Sequence, residues 1–212
     1  MRLFGIALLP ERAVAERLVD FQRRHRPQIS GPILGIERNL PHVSILQCPF
    51  EKNSLTQLRL AQICNAWRRG VDEVTPTARF TEAFYQPEGW LFAGVNLMDW
   101  GAKLQEESLR IMAPHINGAA IRSKEPYRGY SKLERESYVK YGYRYVGQAF
   151  LPHVTLGRIN RESFPGLNPN LRNEFAKEFQ GEEFQFSEIV FYEAGDFGSL
   201  ASVIRREHIS PS

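Results

Sequence analysis

Cysteine is scarce in this chain of 212 residues: Cys48 and Cys64 are its two. Two thiols cannot make a disulfide framework or a four-thiolate zinc site, so a reducing compartment is expected. Lysine is scarce too. Of the 27 basic residues, 6 are Lys and 21 are Arg, so basic contacts fall mainly to the planar guanidinium, which suits phosphate and carboxylate. The net charge of +3 excludes a polybasic protein. No apolar run reaches the roughly 20 residues of a membrane span. The run from Leu3 to Leu9 is short and ends in Pro10-Glu11-Arg12, unlike a secretory segment leading to a small-residue cleavage site. It reads as a first β-strand, and the protein as cytoplasmic. Three motifs are missing, each removing a class of chemistry: the G-x-S-x-G elbow of Ser-His-Asp hydrolases, the P-loop, and the G-x-G-x-x-G dinucleotide turn. No Cys/His/Asp set has zinc-ligand spacing, and neither metal nor cofactor is expected.

What is present is a repeated order of elements. Leu40-Pro-His42-Val-Ser44-Ile-Leu46 begins a strand, and a helix follows with Leu60, Ile63, Cys64 and Trp67 on one stripe. Two strands come next, about 77–86 and 90–97, joined at Gln86-Pro87-Glu88-Gly89. A second copy starts at Leu151-Pro-His153-Val-Thr155-Leu-Gly157, with Leu171, Phe175 and Phe179 on its helix and strands near 184–193 and 200–206. Before the first copy, Val14, Leu18 and Phe21 mark a helix; between the copies, Trp100, Leu104 and Ile111 mark another. The expected fold is α+β in one bilobal domain over 1–212. Its pseudo-repeats span about 40–98 and 151–206. Two similar lobes of mainly antiparallel sheet with flanking helices face each other about a pseudo-twofold axis, with a cleft between.

Each copy carries His-Val-Ser or His-Val-Thr. On a strand, residues i and i+2 share a face, so His42 with Ser44, and His153 with Thr155, each present an imidazole beside a hydroxyl. The intervening valine turns to the core. A neutral histidine can take a proton from water or a hydroxyl, and a protonated one can give a proton to a leaving oxygen, both near neutral pH. The hydroxyls can donate to non-bridging phosphate oxygens, where charge gathers. The arrangement fits phosphodiester chemistry. His25, His115 and His208 have no patterned company and read as structural or surface residues.

The paired motifs resemble those of the 2H (two-histidine) phosphoesterase superfamily. Phe150-Leu-Pro-His-Val-Thr-Leu-Gly-Arg158 and Ile189-Val-Phe-Tyr192 are similar to its 2′-5′ RNA ligase-like and cyclic phosphodiesterase branch. The resemblance implies cleavage of a 2′,3′-cyclic or 2′-5′ phosphodiester of a nucleotide or RNA end, with His42 and His153 as acid and base and Ser44 and Thr155 binding phosphate. It leaves room for reverse ligation and for signalling cyclic di- or oligonucleotides as substrates. A non-catalytic RNA-binding module on the same fold is the competing reading, which the presence of two complete motifs disfavours. A monomer without membrane contact is expected. Arg158 lies five residues beyond His153, on the opposite face by strand parity, and carries no expected role.

Residues 118–147 depart from the repeat. They hold six of the eight tyrosines and seven basic against three acidic side chains. Aromatic rings interleaved with cations suit stacked bases, and Tyr141, Tyr143, Arg144 and Tyr145 are the expected substrate contacts. The alternation of Tyr141, Tyr143 and Tyr145 predicts a strand with one aromatic face. Packing of these tyrosines against the lobes is the alternative.

Overall fold

The computed structural model describes residues 2–69, 76–86, 88–122, 126, 128–159 and 169–209. Pro87 of the expected turn and Lys124, Glu125 and Tyr127 of the basic segment lie outside them. Helices and antiparallel strands are mixed throughout, an α+β fold. Among the described residues no helix is long and apolar enough to cross a membrane.

In chain order the elements are β1 (Phe4–Pro10), α1 (Arg12–Arg24), β2 (Ile29–Ser30), β3 (Val43–Cys48), α2 (Gln57–Arg68), β4 (Thr77–Tyr85) and β5 (Trp90–Asn96). They continue with α3 (Met98–Met112), α4 (Gly118–Arg122), α5 (Lys132–Tyr141), β6 (His153–Ile159), α6 (Pro169–Glu178), β7 (Glu183–Ala194) and β8 (Leu200–His208). The strands expected outside 118–147 and the long helices appear where periodicity places them. The cap of α2 is Thr56, whose hydroxyl accepts from the Arg59 amide, and Asn53 and Ser54 sit in a preceding 3-10 turn. The strand expected through Tyr141–Tyr145 is absent. Ser131 and Glu134 form a capping box that starts α5, a signal of helix rather than strand. Gly142 then ends α5 in the left-handed region, at φ 75°.

The strands pair in a closed circuit. β1 pairs with β3 and β7; β3 meets β6; β6 pairs with β5, β5 with β4, and β4 with β7. β8 adds to β7, and the short β2 adds to β6. Two groups result: β3-β1-β7-β8, and β2-β6-β5-β4.

The registers of the two groups correspond. In one, Ile6 faces Leu46 and Ala7 faces Ser44, with a bulge between. In the other, Leu91 faces Gly157 and Phe92 faces Thr155, with a bulge at the equivalent step. The strand matching β5 is therefore β1, not β8. The internal likeness runs β1-α1-β3-α2-β4 against β5-α3-β6-α6-β7, one strand earlier than the sequence words indicate. In each unit the last strand crosses over: β4 joins β5 of the second unit, and β7 joins β1 of the first.

The helices follow the same scheme. α2 and α3 pack together, with Trp67 and Trp100 rings 5.6 Å apart. α1 and α6 do likewise through Phe21, Phe175 and Phe179, with Phe80 of β4 meeting the latter two. The main core lies between strands and helices and takes in Val43 and Val154, both fully enclosed. Two smaller apolar clusters lie apart from it. One holds Ala7, Leu9, Val190, Tyr192 and Leu200; the other holds Trp90, Phe92 and Tyr145.

Candidate active site

β3 and β6 touch at Val43 with Val154, antiparallel. That register sets His42 across from Thr155 and Ser44 across from His153. With the valines in the core, all four polar side chains turn to the other side, and all four line one cleft of about 310 Å³. Its wall also includes Trp90, Phe92, Tyr143, Arg144, Tyr145 and Phe197.

Both histidines are held alike. His42 Nδ1 lies 2.8 Å from the Leu40 carbonyl oxygen, and His153 Nδ1 lies 2.6 Å from that of Leu151. A carbonyl oxygen can only accept, so Nδ1 carries the proton in each ring. Nε2, at the far edge of each ring, is left for the cleft. Both rings are nearly enclosed, at 9% and 8% exposure, and burial disfavours the charged form. Burial pushes His42 below its usual value despite the Leu40 bond. His153 is pushed down to about 4, mainly by burial, with Arg144 and His42 adding repulsion.

Their neighbours differ. His153 stacks on Phe92, with centroids 3.8 Å apart and planes 21° from parallel, and meets the edge of Tyr145 at 5.3 Å. His42 instead has Tyr192 at 5.3 Å. The Tyr192 hydroxyl lies 3.0 Å from Ser44 Oγ and 3.0 Å from Gln47 Nε2. One side of the cleft is thus aromatic and the other hydroxyl-rich.

Of the four expected substrate contacts, the structure brings three to the cleft: Tyr143, Arg144 and Tyr145. Tyr141 ends α5, where its ring packs against the main core, and it lines a separate surface hollow with Leu133, Ser137 and Lys140; Tyr138 of the same helix and Gly142 line the cleft instead. Arg144 is the one permanently charged side chain in the cleft wall among the described residues. It stacks on Tyr145 at 4.4 Å and Tyr130 at 4.9 Å and lies 3.7 Å from a Glu134 carboxylate oxygen. Other arginines pair with carboxylates at the surface, such as Arg17 with Glu182 and Arg172 with Glu82. Arg158 donates to the Glu88 carbonyl and lies over Trp90, outside the cleft wall.

Sequence reasoning missed Gln47, Trp90, Phe92, Tyr192 and Phe197. Gln47 lies on the strand of the first motif, beyond the His-Val-Ser word, and Tyr192 entered only as part of the resemblance of Ile189-Val-Phe-Tyr192. Trp90 and Phe92 occupy alternate positions of the strand beside His-Val-Thr, a signal that becomes legible once β5 is paired with β6. Phe197 lies at φ 57° in the β7–β8 turn, with its ring exposed and 5.5 Å from Trp90 of the other strand group.

No protein-family model matches the chain. No curated protein matches it either. Among solved structures it is similar to Usb1 of Kluyveromyces marxianus, at 14% identity over 98% of each chain with a TM-score of 0.43. It is similar in the same way to that protein with uridine monophosphate, at 14% identity over 98% of each chain and a TM-score of 0.44.

Proposed function

We propose that the chain is a metal-independent phosphodiesterase acting on a 2′,3′-cyclic or 2′-5′ phosphodiester of a nucleotide or RNA end. The observation that carries this reading is the pair of imidazoles whose Nδ1 atoms are both held by backbone carbonyls, with both Nε2 atoms left to one cleft. His153, in the more apolar setting and beside Arg144, is the base. It takes a proton from water or a substrate hydroxyl as that oxygen bonds to phosphorus. His42 is the acid and gives its proton to the oxygen that leaves. Ser44 and Thr155 donate to the non-bridging oxygens, and the side chains themselves supply both proton transfers. The aromatic wall of Trp90, Tyr143 and Tyr145 offers rings to a base.

Turnover should be measured on a 2′,3′-cyclic nucleotide, a 2′-5′ dinucleotide and a cyclic dinucleotide, with EDTA present throughout. Loss of one proton transfer typically costs about 10²–10⁴-fold, and His42→Ala and His153→Ala are each expected to lose that much. Full activity in either variant would sink the proposal. Turnover confined to the cyclic dinucleotide would move the substrate class to signalling nucleotides and keep the chemistry.

A further inference from the structure

Tyr192 sits where its ring can act on the first motif from two strands away. In the β1–β7 register Tyr192 faces Gly5, and in the β1–β3 register Gly5 faces Gln47. The three residues form a row across three strands. A Cβ at Gly5 would lie 2.2 Å from a carbon of the Tyr192 ring and 2.6 Å from its hydroxyl oxygen. The ring therefore passes over β1 through the space that glycine leaves. Its hydroxyl emerges at β3, between Gln47 and Ser44.

The direction of the hydrogen bonds can be worked out from that end. Gln47 Nε2 lies 3.3 Å from the Gly198 carbonyl oxygen. That oxygen can only accept, so the atom facing it is the amide nitrogen. The same nitrogen donates to the Tyr192 oxygen. The nitrogen has no capacity to accept, so the tyrosine proton goes to Ser44 Oγ, its other neighbour among the described residues. Burial holds the Tyr192 proton in place, pushing its release up to about 12. Ser44 Oγ is thereby an acceptor toward Tyr192, and its own proton is free for the cleft.

We propose that Tyr192 is a positioning residue that fixes Ser44 as a hydrogen-bond donor aimed at the phosphate, in a relay from Gln47 through Tyr192 to Ser44. The proposal rests on the phosphodiesterase reading above and adds a one-way donor chain to it. No such chain backs Thr155 among the described residues, so the two hydroxyls are unequal: Ser44 is preset before substrate arrives.

The test is a double-mutant cycle of Tyr192→Phe and Ser44→Ala, with Tyr192→Phe and Thr155→Ala as the control cycle. Phenylalanine keeps the ring over Gly5 and removes only the hydroxyl. Tyr192→Phe is expected to lower kcat about tenfold, the effect of one buried hydrogen bond, with KM within about twofold. In the Ser44→Ala background it should cost nothing more, whereas in the Thr155→Ala background the losses should multiply. Equal losses in all three backgrounds, or a change in KM alone, would overturn the relay and leave the phosphodiesterase reading standing. If the wild type turns over no phosphodiester, that reading fails. The same cycle is then read on the affinity for inorganic phosphate, where coupling of Tyr192 to Ser44 supports the relay. Additive effects, or no phosphate binding by the wild type, overturn it.

Discussion

His42 and His153 share one hydrogen-bonding scheme and differ in what lies behind the ring. With His153 pushed down to about 4, the base of the proposed reaction is ready at any pH above that value. His42 also lies below 6.5, so its protonated fraction shrinks as pH climbs past its own lowered value. For the proposed phosphodiesterase activity the kcat/KM profile is thus expected to be a bell on the acid side, rising through about 4 and falling before 6.5. An anionic phosphate between the rings favours imidazolium, so the alkaline limb of kcat should lie at higher pH than that of kcat/KM. A kcat/KM plateau extending past neutrality would contradict the assignment of acid and base. At this scale the His-x-Ser and His-x-Thr words were legible because strand parity alone puts imidazole and hydroxyl together. Tyr192 was not, since its reach depends on an absent side chain on a different strand.

Two buried glutamines show how the elements are fastened. Gln22 of α1 donates to the Leu156 carbonyl on β6 and to the Pro32 carbonyl, and accepts from the Leu34 amide. Gln105 of α3 donates to the Ile45 carbonyl on β3 and to the Tyr145 carbonyl, and accepts from the Gly147 amide. Leu156 and Ile45 each lie three residues past a motif histidine, so the same clasp occurs once per unit. Both glutamines are 3% exposed. Gln105→Ala strands two carbonyls and an amide, and urea denaturation should show a loss of about 1–3 kcal/mol. The segment carrying Arg144 and Tyr145 loosens with it, raising KM. A stability change within about 0.5 kcal/mol, typical of a surface site, would refute the clasp. In sequence these glutamines sit among charged residues and pass for solvent-facing ones, which is why periodicity could not find them. Gly5→Ala acts on another element, β1. Its methyl displaces the Tyr192 ring, and the variant should lose both thermal stability and turnover, while Tyr192→Phe loses turnover with little change in melting temperature.

Over the whole molecule, the abundance of arginine has a mostly structural explanation. Many guanidiniums pair with carboxylates, and Arg144 alone supplies permanent charge to the cleft wall among the described residues. Substrate affinity should therefore depend weakly on salt, with a log–log slope of about −1, the value for roughly one phosphate contact. A slope near −5 would instead mark a surface that tracks an RNA backbone. The basic composition of 118–147 was plain in the sequence, but composition does not say which way a side chain faces; α5 carries Lys132 and Lys140 outside the cleft wall. The closed circuit of strands also has a consequence for synthesis. β1 leaves the ribosome ahead of the other strands of the circuit, and β7, which encloses it, comes about 180 residues later. Until then β1 has β3 on one edge and nothing on the other, the row from Gly5 to Tyr192 does not exist, and Ser44 has no relay behind it. Contacts so distant in sequence form slowly. The nascent chain must keep one edge of a hydrophobic strand unpaired while all the elements from α1 to α6 are made, and a chain that stops short of β7 has both histidines but no finished cleft to hold them.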